Sequence, residues 1–242
     1  MKNSSRALAV VSLAVFFASS TWFSGTAAAP VLKQIWNLDE VRSSWLTISV
    51  QLGFIFGTFL YAILNLADIF RPRRVFFASA LAGAFFNAGF ALVSNGLGFS
   101  LAFRFLTGLT LAGVYPVGMK IIAQWFRENL GWRLGVMVGA LTLGTAVPYS
   151  LFALGARLDW KLLILLASAL SVLGGLLVLF GVGEGPYLRT APRFDARAAF
   201  RMFRTGEFRS QAFGYFGHMW ELYAFWSLSS SYLAASFAQS AL

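Results

Sequence analysis

Cysteine is absent from the 242 residues of this chain, and charged residues are scarce. Without cysteine the protein cannot form disulfides or thiolate metal sites. Lysine, arginine, aspartate and glutamate together make up 12% of the residues, against roughly 25% in a soluble domain. Hydrophobic residues make up 58%. A water-soluble core of this size does not need so many apolar side chains, so the composition predicts an integral membrane protein.

Enzyme signatures are also missing from the sequence. His218 is the only histidine, and there is no glycine-rich phosphate loop that ends in lysine and serine or threonine. The sequence therefore predicts neither catalysis nor ATP hydrolysis. It indicates no cofactor and no metal site.

Long apolar blocks define the predicted fold, because a membrane span requires about 20 apolar residues. Uncharged runs occupy residues 7–32, 43–67, 75–103, 134–156 and 162–183. Two further blocks carry charge: residues 100–126 contain Arg104 and Lys120, and residues 214–237 contain His218 and Glu221. We therefore expect an all-α, polytopic transmembrane helical bundle. Residues 1–183 would form six spans and residues 211–242 a seventh.

The net charge of +10 is distributed unevenly along the chain. If the spans alternate from a cytoplasmic N-terminus, one side of the membrane receives only Lys33, Arg42, Arg157 and Lys161. The other side receives Lys2, Arg6, Arg71, Arg73, Arg74, Arg127, Arg133, Arg189, Arg193, Arg197, Arg201, Arg204 and Arg209. This bias follows the positive-inside rule and predicts a cytoplasmic N-terminus. The partner of the basic residues is then the lipid bilayer, and no nucleic acid is needed.

The first span has an alternative interpretation as a secretory signal. Lys2 and Arg6 precede an apolar run, and small residues follow at positions 27–29. Trp22 and Phe23 make the segment between them bulky for a cleavage region, so retention as a span is preferred.

Residues 184–210 form the longest hydrophilic segment and are predicted to be a cytoplasmic linker. Arginines would lie on one helical face and apolar side chains on another, as in an amphipathic helix at a membrane surface. The first face comprises Arg193, Arg197, Arg201 and Arg204, and the second Ala196, Ala199, Phe200 and Phe203. A solvated loop attracted to anionic lipid is the alternative.

Three segments resemble signature motifs of the major facilitator superfamily. LADIFRPRRVF, between spans two and three, resembles its cytoplasmic signature, with Asp68 at the acidic position and Arg73 and Arg74 at the basic ones. RFLTGLTLAG in span four resembles the arginine-plus-glycine motif, and GVMVGALTLGTAVP in span five is similar to a glycine-rich motif. WFSGTAAAP, GVYPVGMKIIAQWF and GYFGHMWELYAFW resemble more closely bacterial members grouped with nitrate, nitrite and cyanate porters.

The resemblance implies two six-span halves with the substrate site between them. The chain would then be a fragment that holds the N-terminal half and the first helix of a second half, with the remainder or a second subunit missing. It implies a transporter of the bacterial inner membrane, gated by Asp68, Arg73 and Arg74. Ile69 and the pair Arg71-Pro72 depart from the family's pattern at this hinge.

Arg104 has two interpretations. It lies only a few residues into span four, so its side chain could snorkel to the outer interface. Alternatively it faces a pathway, because Gly108, Ala112 and Tyr115 fall within about 40° of it if successive residues of a continuous helix turn by about 100°. The resemblance implies a role in proton or substrate coupling. Lys120, near the cytoplasmic end, is interpreted as an interfacial anchor.

His218 and Glu221 are three residues apart and therefore share a helical face in span seven. A carboxylate inside a membrane is costly, and histidine titrates near neutrality. We predict that the pair accepts and releases a proton during transport. A polar pair that locks span seven to another helix is the alternative.

Other polar and small residues receive simpler roles. Gln51 and Trp22 are predicted to face the pathway, whereas Asn65 and Asn87 are expected to make interhelical hydrogen bonds only. Span six lacks a strongly polar side chain and is predicted to be a lipid-facing support helix. Glycines let helices approach closely, and packing is predicted at Gly108, Gly113, Gly139 and Gly144.

The predicted function is secondary active transport of a small solute, coupled to protons by alternating access. Spans one to six contain the cations Arg104 and Lys120 and no acid well inside the hydrocarbon, which favours an anion. Proton symport makes Glu221 compatible with an anionic substrate. Span two lacks the arginine that nitrate porters use, so nitrate itself is not expected. The alternatives are proton-coupled drug efflux and a non-transporting membrane module.

Overall fold

The computed structural model describes residues 2–154, 159–188 and 201–240, and every regular element in them is a helix. The predicted all-α class is therefore confirmed. The chain divides into two units, Met1–Pro192 and Arg193–Leu242. The first unit contains α1 (Lys2–Ser19), α2 (Ser24–Ile35), α3 (Glu40–Ile63), α4 (Leu66–Ile69), α5 (Pro72–Val93), α6 (Leu97–Leu111), α7 (Tyr115–Trp125), α8 (Leu130–Leu154) and α9 (Trp160–Gly181).

Six of the described helices or helix pairs are long and apolar enough to cross a membrane. They are span one (α1 and α2), span two (α3), span three (α5), span four (α6 and α7), span five (α8) and span six (α9). These six agree in number and order with the six spans predicted for residues 1–183.

The second unit contains one long described helix, α10 (Gly206–Ser240), of 35 residues. It includes the predicted seventh span but begins earlier, and it does not reach the apolarity of the other six. Charged and serine-rich stretches lower its mean hydropathy. The amphipathic pattern was predicted over residues 193–204, and its residues up to 200 lie outside the described residues. Arg201, Phe203 and Arg204 are described and exposed.

Helix ends follow local chemistry in this chain. Asp39 and Asp159 cap α3 and α9, accepting hydrogen bonds from the backbone N–H of Arg42 at 2.7 Å and of Lys161 at 3.1 Å. Left-handed backbone conformations occur at three asparagines, which tolerate them better than most residues. These are Asn37 (φ 49°), Asn65 (φ 51°) and Asn129 (φ 49°). Asn65 thus turns the chain after α3, and the interhelical role expected for it is not observed.

Spans one and four are broken, although both were predicted as continuous helices. In span one, hydroxyl groups compete for backbone carbonyls around the break at residues 20–23. Ser20 Oγ donates to Phe17 O at 2.7 Å and Thr21 Oγ1 to Ala18 O at 2.9 Å. In span four, Pro116 near the start of α7 has no N–H to continue the ladder from α6.

Span six packs one face against α5 and α1. Leu163, Ile164, Ala167 and Ser168 are buried on that face, whereas Leu166, Leu173 and Phe180 are exposed. The exposed apolar face is compatible with the lipid-facing support helix predicted for span six, which stays a prediction. The polar contact of the buried face was not expected: serine is weakly polar on a hydropathy scale, yet Ser168 provides a hydrogen-bonding hydroxyl to a neighbouring helix.

Candidate functional site

The break in span one leaves backbone carbonyl groups without helical partners in the middle of the bundle. Thr21 and Trp22 lie in this break, between the end of α1 and the start of α2. The C-terminal end of a helix carries partial negative charge, and its last carbonyls need donors. The break is therefore a natural acceptor site for a cation.

Arg104 of α6 supplies that cation. Its side chain is fully buried, at 0% exposure. Nη1 donates to Thr21 O at 3.0 Å, and Nη2 donates to Trp22 O. Nε donates to Leu46 O of span two at 3.3 Å. Arg104 does not snorkel to the outer interface, because its donors are used inside the bundle.

Glycine and phenylalanine shape the space around this guanidinium. A Cβ added to Gly25 would lie 2.8 Å from Arg104 Nε, so only glycine at this position lets the side chain enter the break. Phe90 lies under the charge, with 5.9 Å between the guanidinium carbon and the ring centroid. The aromatic face adds attraction for the cation.

The charge of Arg104 is held but not neutralised. Its acceptors are three carbonyl oxygens, the Ser24 hydroxyl at 3.3 Å and the Asn87 amide oxygen at 3.1 Å from Nη1. No carboxylate in the described part of the chain forms an ion pair with it. The first unit therefore keeps a fixed positive charge near its centre.

Asn87 of α5 completes this cluster, although only an interhelical hydrogen bond was expected of it. It is fully buried and bonds to Arg104, to Ser24 and, through Nδ2, to Ile164 O at 3.2 Å and Ser168 Oγ at 3.0 Å. Asparagine is common in interhelical contacts, so no feature of the sequence distinguishes Asn87 from Asn65.

Two buried N–H donors lie on the elements beside Arg104 without an acceptor among the described residues: Trp22 Nε1 and Gln51 Nε2. Trp22 is 3% exposed, and its ring centroid lies 4.7 Å from that of Phe54. Gln51 precedes Phe54 by three residues, so it shares the face of α3 that turns toward Trp22. Trp22 thus packs against the helix that carries Gln51.

The predicted helical face from Arg104 to Tyr115 does not exist as a continuous surface. Residues 112–114 interrupt the helix, and Tyr115 begins α7 beyond that break. A Cβ on Gly108 would overlap the Val50 carbonyl oxygen of α3, so this side of α6 is filled by a helix rather than open to a solute.

The predicted packing glycines behave differently from one another. A Cβ on Gly113 would overlap Ser79, and one on Gly144 would overlap the Phe16 carbonyl oxygen, so these two and Gly108 pack closely. A Cβ on Gly139 would meet nothing within 4 Å in the described residues. Gly139 lies on the outward side of α8, and the packing expected for it is not observed in this bundle.

The hinge between spans two and three is tied to span four. Lys120 of α7 forms an ion pair with Asp68, so it is a partner of the motif acid rather than a simple interfacial anchor. Arg71 pairs with Glu184 at 3.1 Å. Arg73 Nε is buried and finds no acceptor among the described residues, whereas Arg74 is exposed. Among the described residues of the bundle, Asp68 therefore has an ion-pair partner, whereas Arg73 and Arg74 have none.

His218 and Glu221 lie on consecutive turns of α10, as predicted, and both are exposed in the second unit. Glu221 borders an open groove of about 710 Å³ together with Trp220, Phe225 and Leu228. The pair is therefore accessible on this helix when the unit is considered by itself.

Comparison with known proteins identifies the family. The family model described as Major Facilitator Superfamily matches residues 11–242. With its six apolar spans, the chain therefore belongs to this superfamily of membrane transporters, and it is an integral membrane protein.

Two bacterial relatives share about half of this chain or more. It is 32% identical over 126 residues to the niacin transporter NiaP of Acinetobacter baylyi, covering 47% of this chain and 28% of that protein. It is 26% identical over 166 residues to the 4-hydroxybenzoate transporter PcaK of Pseudomonas aeruginosa, covering 64% of this chain and 35% of that protein. The chain thus spans about a third of the length of these relatives. The finer resemblance to nitrate, nitrite and cyanate porters stays a prediction.

Proposed function

We propose that this chain forms one half of a proton-coupled secondary transporter that carries small aromatic carboxylates by alternating access. The observation that carries the proposal is the buried charge of Arg104, which no carboxylate of the described residues neutralises. A fixed charge in a low dielectric attracts an anion far more strongly than it would in water. The guanidinium itself is enclosed by oxygen acceptors, so it acts through its field.

Direct contact with the substrate is assigned to Trp22 and Gln51. Their buried N–H groups have no acceptor among the described residues, and a carboxylate would provide one for each. Phe54, stacked on Trp22, offers a surface for an aromatic ring. Niacin and 4-hydroxybenzoate, which two relatives are named for, are both small aromatic carboxylates.

A second bundle is part of this proposal. Transporters of this fold bind substrate between two halves, and the chain spans only 28% and 35% of the two bacterial relatives. The second half is supplied either by the same polypeptide or by another subunit. In this proposal the N-terminus lies in the cytoplasm of a bacterial cell, which the positive-inside rule supports. Asp68, Arg73 and Arg74 then lie at the cytoplasmic hinge as gating residues.

Proton coupling is assigned to Glu221 and His218. Binding of a proton at Glu221 removes the negative charge that would repel a carboxylate, so proton and anion move together. Symport of one proton with one monocarboxylate is electroneutral. A lower pH outside than inside therefore drives accumulation of the substrate.

The test is uptake of radiolabelled benzoate by vesicles that contain the complete transporter, with an acid exterior. We expect accumulation that collapses when a protonophore is added. Glu221→Gln should abolish accumulation while exchange of internal for external benzoate persists, because the proton site is lost without a change of shape. Glu207→Gln, at the start of the same helix, is the matched control and should accumulate normally.

Two results would contradict this account. Benzoate accumulation in Glu221→Gln with an unchanged pH dependence would reduce the pair to a structural role. Export of lipophilic cations with no benzoate uptake would favour drug efflux.

A further inference from the structure

We propose that Asn87 is a positioning residue: it holds the Arg104 guanidinium at the break in span one and ties that position to span six. The inference rests on the proposed function, because the place of this charge matters for transport only if it attracts the substrate. It concerns a residue that touches no substrate and that the family motifs do not include.

The side chain of Asn87 is fully engaged. Its oxygen accepts from Arg104 Nη1 at 3.1 Å and lies 2.8 Å from Ser24 Oγ. Its nitrogen donates to Ile164 O at 3.2 Å and to Ser168 Oγ at 3.0 Å. A carboxamide has two donor hydrogens and two acceptor lone pairs, so no capacity remains.

The network also fixes the orientation of the amide. Arg104 can only donate and the Ile164 carbonyl can only accept. If the amide were reversed, its NH₂ group would face the guanidinium and its oxygen would face a carbonyl oxygen. Both contacts would be repulsive, so Asn87 is held in one orientation in a bundle interior where it is 0% exposed.

This orientation connects four spans through one side chain. Asn87 lies on span three, its oxygen contacts spans one and four, and its nitrogen contacts span six. Helix α5 packs against both α6 and α9, so a sliding of span six against span three would break the bonds of the amide to Ile164 and Ser168. The position of Arg104 therefore depends on the position of span six.

An amide is the side chain that performs this task without cancelling the charge. An aspartate at position 87 would also hold the guanidinium, but it would form an ion pair that neutralises it, and it would give up the two donor hydrogens to Ile164 and Ser168 of span six. A leucine would keep the shape of the Asn87 side chain and leave the charge of Arg104 intact, but it could not hydrogen-bond to the guanidinium. The two substitutions thus separate the position of Arg104 from its electrostatic field.

This chain contains no cysteine of its own, so a single cysteine introduced into it can serve as a reporter once any cysteine elsewhere in the complete transporter is replaced. Ala27 lies one turn after the break and is 4% exposed, so Ala27→Cys should react slowly with N-ethylmaleimide in the complete transporter. Its reaction rate reports how often the break opens. Asn87→Leu should raise the rate by about tenfold, because a hydrogen bond to a charged group is lost. Asn87→Asp should leave the rate low.

Two controls make the result specific. Ser171→Ala removes another buried hydrogen bond of span six, the one to Ala80 O at 3.0 Å, without touching the cluster, and should leave the rate unchanged. In an Arg104→Gln background, Asn87→Leu should add no further increase, because Asn87 acts through Arg104. Ser168→Ala removes only one hydrogen-bond partner of the Asn87 amide and should raise the reaction rate less than Asn87→Leu does. It replaces Asn87→Leu in the test if that variant fails to fold.

An unchanged rate in both Asn87→Leu and Ser168→Ala would overturn the inference. So would an equal increase in Ser171→Ala, or an additive increase in the Arg104→Gln background. Benzoate uptake keeps the two proposals apart. Asn87→Asp should raise KM about tenfold while the cysteine stays protected, since the field is cancelled and the position is kept. If no variant transports benzoate but the pattern of rates holds, the proposed function fails and the positioning role stands.

Discussion

Arg104 Nη1 lies 3.1 Å from Asn87 Oδ1, so a charge on span four is held by a neutral amide on span three. The same guanidinium bonds to carbonyls of Thr21 and Trp22, where span one is broken. A buried ion usually has a countercharge, because burial without one costs several kcal/mol. Here carbonyl and amide dipoles replace the countercharge, and the bundle interior stays positive.

Replacement of Arg104 by lysine should cost stability while it keeps the charge. An ammonium group has three donors on a narrower head and cannot reach acceptors on spans one, two and three together. A carbonyl at the break in span one, such as Trp22 O, would lose its donor, at a cost of about 1–3 kcal/mol. Thermal unfolding in detergent should show a lower midpoint for Arg104→Lys. The exposed variant Arg42→Lys should unfold like the parent, and equal midpoints for both would contradict the geometry.

Removal of one indole N–H should weaken substrate binding. Trp22→Phe keeps an aromatic ring against Phe54 but cannot donate to a carboxylate, and KM for benzoate should rise about tenfold. Trp125→Phe is the matched control, because Trp125 also has a buried indole N–H without an acceptor among the described residues and lies at the far end of span four. A rise in KM of the same size in both variants would show a general effect of tryptophan loss.

Alanine should lower the thermal stability at one of two glycines on neighbouring spans and not at the other. In Gly108→Ala the new methyl group would overlap the Val50 carbonyl and push α3 from α6, at about 1–3 kcal/mol. In Gly139→Ala the methyl group meets open space in the described bundle, so only the helix preference of alanine remains. Thermal unfolding of the chain should show a lower midpoint for Gly108→Ala and no decrease in the midpoint for Gly139→Ala. A lower midpoint for Gly139→Ala alone would be the opposite of this expectation.

The proposed orientation is open to a direct labelling test. Asn95 and Glu128 are exposed residues in connections at opposite ends of the spans. In intact cells, a membrane-impermeant maleimide should label Asn95→Cys and spare Glu128→Cys. After permeabilisation both should react. Labelling of Glu128→Cys in intact cells would place the N-terminus outside.

Apolar blocks and basic loops predicted the six spans of the first unit, because span length and charge asymmetry are properties of the sequence alone. The breaks were harder to predict. Pro116 carries a visible signal for the break in span four. At the break in span one, the hydroxyls of Ser20 and Thr21 bond to backbone carbonyls, but Thr58 makes the same kind of bond inside the unbroken helix α3. A hydropathy pattern therefore does not mark the break in span one.

The arrangement around Arg104 was predicted in part. Its position as a cation inside an apolar block distinguished Arg104 in the sequence, and the structure buries it fully, whereas its role in transport stays a prediction. The hydrogen bonds of Asn87 to Arg104 and Ser168 were not predicted, because they depend on how closely spans three, four and six approach one another. Tyr115 was predicted to share a helical face with Arg104 because a continuous helix was assumed. The break at residues 112–114 shows that this assumption was wrong.

The central claim is that the unneutralised charge of Arg104 selects an anionic aromatic substrate. It is tested most directly by benzoate uptake in the complete transporter, comparing Arg104→Gln with Arg42→Gln, which removes an equal charge from an exposed site. We expect a rise in KM of about tenfold or more for Arg104→Gln and none for the control, since a buried charge acts through a low dielectric and an exposed one is screened. Unchanged benzoate uptake in Arg104→Gln, or export of a lipophilic cation that survives this substitution, would contradict the account.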